Sequence, residues 1–281
     1  MRKEDIVLLD GAVGTSLWEK TESRQPVWQF NLENPGIVTE LVNEYVDAGS
    51  QIILANTFGA NRLAVKRTSY SVQTIVSEGV RLAKEAAADR AKVALAVGPL
   101  PVLLEPYGDL SEEEAYEIFD EQISAGMSQK PDYITLQTFL DANMMHIAGE
   151  AAAKWNLPII SLLTFTEVGK TIMGHSVEYF VDVMKDIPLA AIGINCSLGP
   201  EKAVPIIASF RQYTDLPLCF KPNAGKPILQ DGEEKTQYDI PTFVRDSLPA
   251  LDHDVTYIGG CCGSNAAYIR ALREAIRNLD K

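Results

Sequence analysis

The 281-residue sequence predicts an α/β protein, a (β/α)8 TIM barrel forming one domain over residues 1–281. Three observations carry this expectation. Eight apolar, β-rich runs recur along the chain, helical patterns separate them, and the connections after the runs are longer than those before them. The runs are residues 6–12, 52–57, 93–98, 133–138, 158–165, 190–196, 218–222 and 255–260. They are near-continuous in apolar character rather than alternating, as parallel strands covered on both faces require.

The first run leads into a long connection over 13–33. Asn34 as N-cap, Pro35 in the first turn, and Ile37, Val38, Leu41, Val42, Tyr45 and Val46 at helical spacing then mark a helix that Gly49 stops. After the third run and a connection over 99–110, Ser111 and Glu114 form a capping-box pattern ahead of Ile118, Phe119 and Ile123. Asp141 and Ser176 are expected caps after the fourth and fifth runs. After the sixth, Pro200 suits a first helical turn, and Pro205 implies that this helix kinks or starts later. The seventh run leads through 224–240 to Pro241, another first-turn proline, and the eighth to a cap at Ser264 or Asn265. Short connections precede strands at 131–132, 156–157 and 252–254. An open doubly wound sheet would need a glycine-rich phosphate turn, and Gly11-Ala12-Val13-Gly14 lacks its spacing.

With 46% apolar and 22% charged residues, such a chain buries a large core without disulfides. A net charge of -13 and the lack of a Lys/Arg cluster exclude nucleic acid and anionic membrane as natural partners. Four cysteines are too few for a secreted disulfide framework. No run reaches membrane-spanning length, and residues 6–9 are too short for a signal-peptide core, so a reducing cytoplasm is the expected location.

A barrel carries its active site at the C-terminal ends of its strands. Polar groups gather there: Asp10, Asn56 with Thr57, Gln137 with Thr138, Asn195 with Cys196, Asn223, and Cys261 with Cys262. Buried cysteines are ordinarily small hydrophobes, the reading kept for Cys219 inside the seventh run. Cys196 and the vicinal Cys261 and Cys262 stand apart, because each group ends a strand-like run and the vicinal pair sits between glycines. Three thiols at strand ends supply three zinc ligands and leave a fourth position open, the pattern of a catalytic site. A centre with three thiolates is a poor activator of water and suits a substrate thiol. A free thiol is only a few per cent ionised at pH 7, so coordination raises its reactive fraction about thirtyfold.

At these residues the chain resembles the zinc-dependent homocysteine S-methyltransferases. The resemblance rests on Asp10-Gly11-Ala12-Val13-Gly14-Thr15, Asn56-Thr57-Phe58-Gly59-Ala60, Gly193-Ile194-Asn195-Cys196, Pro222-Asn223-Ala224-Gly225 and Gly259-Gly260-Cys261-Cys262-Gly263, and runs from about residue 6 to residue 279. The Pro-Asn-Ala-Gly form is closer to the homocysteine domain of cobalamin-dependent methionine synthase than to the betaine-dependent branch. The resemblance implies a barrel with Zn²⁺ on Cys196, Cys261 and Cys262 as catalytic ligands. A substrate thiolate would take the fourth position, and Asn223 would fill it without substrate. Asp10 matches the acid that holds the substrate ammonium. The backbone of Gly11, Ala12, Gly14 and Thr15 is expected to hold its carboxylate. Asn56 and Thr57 are expected to position backbone, and Asn195 to support Cys196.

One departure stands out. Where the family usually places Glu at the fourth strand end, this chain has Gln137, which accepts a hydrogen bond but supplies no charge. A weaker hold on an amino-acid thiol follows unless Asp10 or Glu167 compensates. The expected activity is methylation of homocysteine, giving methionine, or of a related small-molecule thiol. A separate methyl-corrinoid protein is the expected donor. A small onium donor such as S-methylmethionine or a betaine, and a non-catalytic zinc-binding scaffold, are the alternatives. His175 could reach the mouth, His146 and His253 are expected to be structural or solvated, and Met144-Met145 to be helix packing.

Overall fold

The computed structural model describes residues 5–225, 227–230 and 233–279. Eight parallel strands form the barrel: β1 (Val7–Leu8), β2 (Ile52–Leu54), β3 (Lys92–Val97), β4 (Tyr133–Phe139), β5 (Ile159–Leu163), β6 (Leu189–Asn195), β7 (Leu218–Lys221) and β10 (Val255–Ile258). Their order is β1-β10-β7-β6-β5-β4-β3-β2, and a parallel bridge between Leu9 and Ile52 brings the two ends together. All eight sequence-predicted runs are strands, several shorter than expected. β1 stops early because Asp10 takes over the ladder with its side chain: its Oδ2 accepts from the Leu54 backbone N at 2.7 Å. Thr57 does the same for β2, its hydroxyl donating to the Ala96 carbonyl at 2.8 Å and accepting from the Ala96 N at 3.1 Å.

One helix packs outside after each strand: α3 (Pro35–Ala48), α5 (Val72–Ala87), α6 (Glu112–Met127), α7 (Ala142–Ala153), α8 (Val177–Val183), α9 (Pro200–Ser209), α10 (Ile240–Ser247) and α11 (Ala266–Arg277). Ser111, Asp141, Ser176 and Asn265 each accept a backbone N–H as N-caps. Asn34 holds the expected position without a side-chain cap, and its carbonyl instead accepts from Ile37 N. α9 starts at Pro200 and runs on through Pro205. Pro205 is exposed, so the carbonyl it leaves unpaired one turn back can be hydrated and the helix need not end.

The core has two layers. Leu9, Ile52, Leu54, Ala94, Ala96, Ile160, Leu162, Ala191 and Cys219 fill the barrel interior. A larger apolar shell packs between strands and helices, and includes Met144 and Met145. The long connections are partly ordered. That after β1 folds into α1 (Gly14–Thr21) and α2 (Phe30–Glu33), and α4 (Arg62–Val65) follows β2. The connection after β7 carries an antiparallel hairpin, β8 (Pro227–Gln230) with β9 (Glu233–Thr236). Among the described residues no helix is long and apolar enough to cross a membrane.

Candidate metal centre and thiol cavity

β6 ends in Asn195 and passes directly into Cys196, and β10 passes through two glycines into Cys261 and Cys262. The strands are separated by β7 alone, so residues far apart in sequence meet at one rim. The three Sγ atoms all lie within 4.8 Å of one another, with 3.8 Å between Cys196 and Cys262. A tetrahedral zinc site with Zn–S near 2.3 Å needs S···S separations of about 3.8 Å. The donors therefore fit the ion in spacing and in softness. Among the described residues the Asn223 Oδ1 is buried without a hydrogen-bond partner, while its side chain also hydrogen-bonds Cys196. An amide oxygen on a side chain that touches Cys196 is a donor suited to a fourth position.

The backbone at the centre is held in costly conformations. Cys196 and Ser197 have φ of 63° and 57°, and Thr138 at the end of β4 has 62°. Left-handed backbone at residues with a side chain costs of order 1–3 kcal/mol each and needs surrounding structure to enforce it. Asn195 supplies part of that structure: it donates to Thr138 Oγ1 and accepts from Thr138 N, both at 2.8 Å, and its Nδ2 lies 3.7 Å from Cys261 Sγ. Thr164 donates to the Asn195 carbonyl at 3.0 Å, and Cys196 N donates to the Lys221 carbonyl at 3.1 Å. The β4–β5 register shifts between Gln137 and Phe139. This bulge lets Gln137 and Thr138, which a regular strand would send to opposite faces, both line the cavity. Gly263, with φ of 82°, follows the vicinal pair where any Cβ would overlap the Gly225 carbonyl.

The thiols share one charge. Hydrogen bonds from Cys261 and Cys262, helped by the Ser197 backbone and Asn223, pull Cys196 down to about 3. Its thiolate in turn helps push Cys262 up to about 11 and Cys261 well above the ordinary thiol range. Cys219 lies inside the barrel, where burial pushes it up to about 12. It is an inert core residue.

The thiols open onto a cavity of about 380 Å³. Gly11, Ala12, Gly14, Thr15, Asn56 and Gln137 line it, as the sequence led one to expect of a substrate site. Trp18, Trp28 and Phe58 form an apolar wall that the sequence reading did not single out, because they lie in connections without periodic pattern. Asn56 is turned into structure, donating to the Val27 carbonyl and Asn31 Oδ1. Thr57 and Asn195 are buried behind the lining. Asp10 is fully buried, with Oδ1 2.6 Å from Lys221 Nζ in addition to its bond with Leu54 N. Lys221 lines the cavity and also escaped the sequence reading. Its signal was a lysine ending an otherwise apolar strand.

His175 accepts from the Ala142 N at the start of α7 and does not line the cavity. His146 pairs with Asp186 on the outer surface, and Glu167 with Lys202. Glu167, a candidate to stand in for a charge at Gln137, does not line the cavity.

The fold is shared with solved enzymes. The homocysteine methyltransferase MmuM from Escherichia coli, in a metallated form, superposes with a TM-score of 0.81 at 20% identity, over 96% of each chain. Its apo form gives 0.75 at 21% identity, over 96% of this chain and 95% of that one. The carboxyl transferase domain of Rhizobium etli pyruvate carboxylase, Y628A with pyruvate, gives 0.54 at 14% identity, over 98% of this chain and 48% of that one. The sequence profile of the homocysteine S-methyltransferases matches residues 7–276. The chain belongs to the homocysteine S-methyltransferase family.

Proposed function

We propose that this protein is a zinc-dependent S-methyltransferase that methylates a small thiol with a methyl group delivered by a corrinoid partner protein. The observation that carries this is the juxtaposition of three mutually adjacent thiols, Cys196, Cys261 and Cys262, with a cavity of about 380 Å³. Zinc held by those thiolates would have a formal charge of -1, favouring an ionised, electron-rich substrate sulfur over activated water.

The chain's own residues supply the rest. Asn195 fixes Thr138 and supports Cys261. The backbone from Gly11 to Thr15 forms one wall for the substrate's polar end, and Trp18, Trp28 and Phe58 limit the water around the sulfur. In the reaction the thiol releases its proton to solvent water and its sulfur attacks the methyl carbon in line. The S–CH₃ bond forms as the bond from methyl to donor breaks, its electron pair staying with the donor. No methyl-enzyme intermediate is needed.

A macromolecular donor is supported by the rim. Val102, Leu103 and Tyr107 after β3, Leu140 after β4, and Val168 and Ile172 after β5 are exposed on the face that carries the cavity. Exposed apolar side chains around a site suit docking of a partner. A small onium donor is the second reading, favoured by the aromatic faces of Trp18, Trp28 and Phe58, which attract cations. The free thiols suit a reducing cytoplasm.

The test begins with metal content. Purified protein is expected to hold close to one zinc per chain, and Cys261→Ser to lose it with the barrel intact. Methyl transfer is then assayed by crossing thiols with a methylcobalamin-loaded protein, S-methylmethionine and betaine. A folded protein that binds no zinc would overturn the proposal, and turnover with onium donors alone would select the second reading.

A further inference from the structure

Apart from the three thiols, the only ionisable side chain lining the cavity, among the described residues, is Lys221. Among the described residues no carboxylate lines it. Asp10, the acid expected to receive a substrate ammonium, is 0% exposed, with one oxygen on Lys221 Nζ at 2.6 Å and the other on Leu54 N at 2.7 Å. Gln137, at the other expected acid position, is neutral. An ammonium entering this cavity therefore meets the Lys221 ammonium, whose counter-charge on Asp10 is buried outside the lining, and among the described residues finds no carboxylate on the cavity wall to neutralise it.

The opposite holds for an anion. A lysine ammonium has three donors, and among the described residues Lys221 Nζ has one hydrogen-bond partner, Asp10. Gly14 and Thr15 begin α1, which has no acidic residue in its first turn and no side chain capping it, and both line the same cavity. Their N–H groups add to the positive side of the site.

Resting on the thiol-methylation reading above, we propose that the substrate is an anionic thiol without an ammonium group, a mercapto acid, with its acid group directed to Lys221 and its thiol to the cysteine triad. Lys221 would then set the substrate class, and the Asp10 pair would hold it in place. Carboxylate and sulfonate share the chemistry that Lys221 recognises, and the experiment separates them.

Zinc-loaded protein is titrated by calorimetry with homocysteine, with 4-mercaptobutanoate (the same chain without the amine), with 3-mercaptopropanesulfonate and with the neutral 4-mercaptobutanol. X-ray absorption at zinc reports whether a sulfur joins the metal. The expected result is at least tenfold tighter binding of one of the two acids than of homocysteine or the alcohol, with a sulfur added at zinc. The better acid names the anion. Homocysteine binding as tightly as either acid, or the alcohol matching them, overturns the inference and leaves thiol methylation standing. Failure of every thiol to bind and to alter the zinc shell overturns the functional reading, and this inference with it. Gln137→Glu should shift the acid-to-homocysteine ratio at least tenfold toward homocysteine. The double variant Asp10→Asn with Lys221→Met should abolish the preference for acid over alcohol. If the double variant does not fold, the four titrations and Gln137→Glu still decide the matter.

Discussion

Asn195 and Thr138 exchange two hydrogen bonds of 2.8 Å across the ends of β6 and β4, amide to hydroxyl and backbone N–H to amide oxygen. The same Asn195 Nδ2 approaches Cys261 Sγ at 3.7 Å. One buried side chain thus ties the bulged strand that presents Gln137 to the Cys261 thiol just beyond a third strand. Asn195→Ala removes all three contacts and strands the Thr138 N–H in the left-handed turn. The expected cost is about 1–3 kcal/mol of stability, together with a fall in zinc affinity of about 10–100-fold. Denaturant titration and chelator competition measure the two separately. Unchanged zinc affinity would show that Asn195 serves the fold alone.

The strands were legible in the sequence because parallel strands buried on both faces read as continuous apolar runs, and this held for all eight. Their C-terminal ends were harder to read. At Asp10 and Thr57 a side chain replaces the backbone in the ladder, and nothing in an apolar count marks where that exchange begins. The triad was legible because all three thiols follow apolar runs and glycines flank the vicinal pair. Lys221 was not, since its partner Asp10 becomes visible only once β10 is known to lie between β7 and β1. The wall of Trp18, Trp28 and Phe58 lies in the connections after β1 and β2, on short helical turns and loop where no long period separates a cavity wall from ordinary packing.

The Lys221–Asp10 pair is buried, with side-chain exposures of 2% and 0%. Removing one partner from such a pair leaves an uncompensated charge and typically costs about 3–5 kcal/mol. Asp10→Asn keeps an oxygen for Leu54 N but turns an amide toward the ammonium, so it should fall in this range, as should Lys221→Met. The double variant should cost much less than the sum of the two. Urea denaturation of the four proteins closes the cycle, and strictly additive losses would mean that the pair is not coupled.

Zinc loading should be steeply pH-dependent, with a slope set by the triad. In the metal-free protein Cys196 is ionised at neutral pH, pulled down to about 3 by hydrogen bonds from Cys261 and Cys262. Cys262, pushed up to about 11, and Cys261, higher than an ordinary thiol, keep their protons. Zinc must displace both, so acid weakens binding and alkali strengthens it. The apparent affinity should rise about a hundredfold per pH unit between pH 6 and 8, two protons per metal. Three independent thiols of ordinary acidity would release three protons. Calorimetry in buffers of different ionisation enthalpy counts the protons directly.

The same charge distribution orders the cysteines by reactivity. The thiolate is the nucleophile in alkylation, and in metal-free protein at pH 7 it resides on Cys196. Iodoacetamide should therefore modify Cys196 first. Cys261 and Cys262 should react only afterwards, because an alkylated Cys196 no longer holds the shared charge and their own ionisation then becomes easier. Cys219, fully buried in the barrel and pushed up to about 12, should stay unmodified until the protein unfolds. Zinc should protect all three site cysteines while leaving Cys219 as it was. Peptide mass spectrometry over a time course reads the order. Early labelling of Cys262 ahead of Cys196 would show that the shared charge rests on β10 rather than on β6.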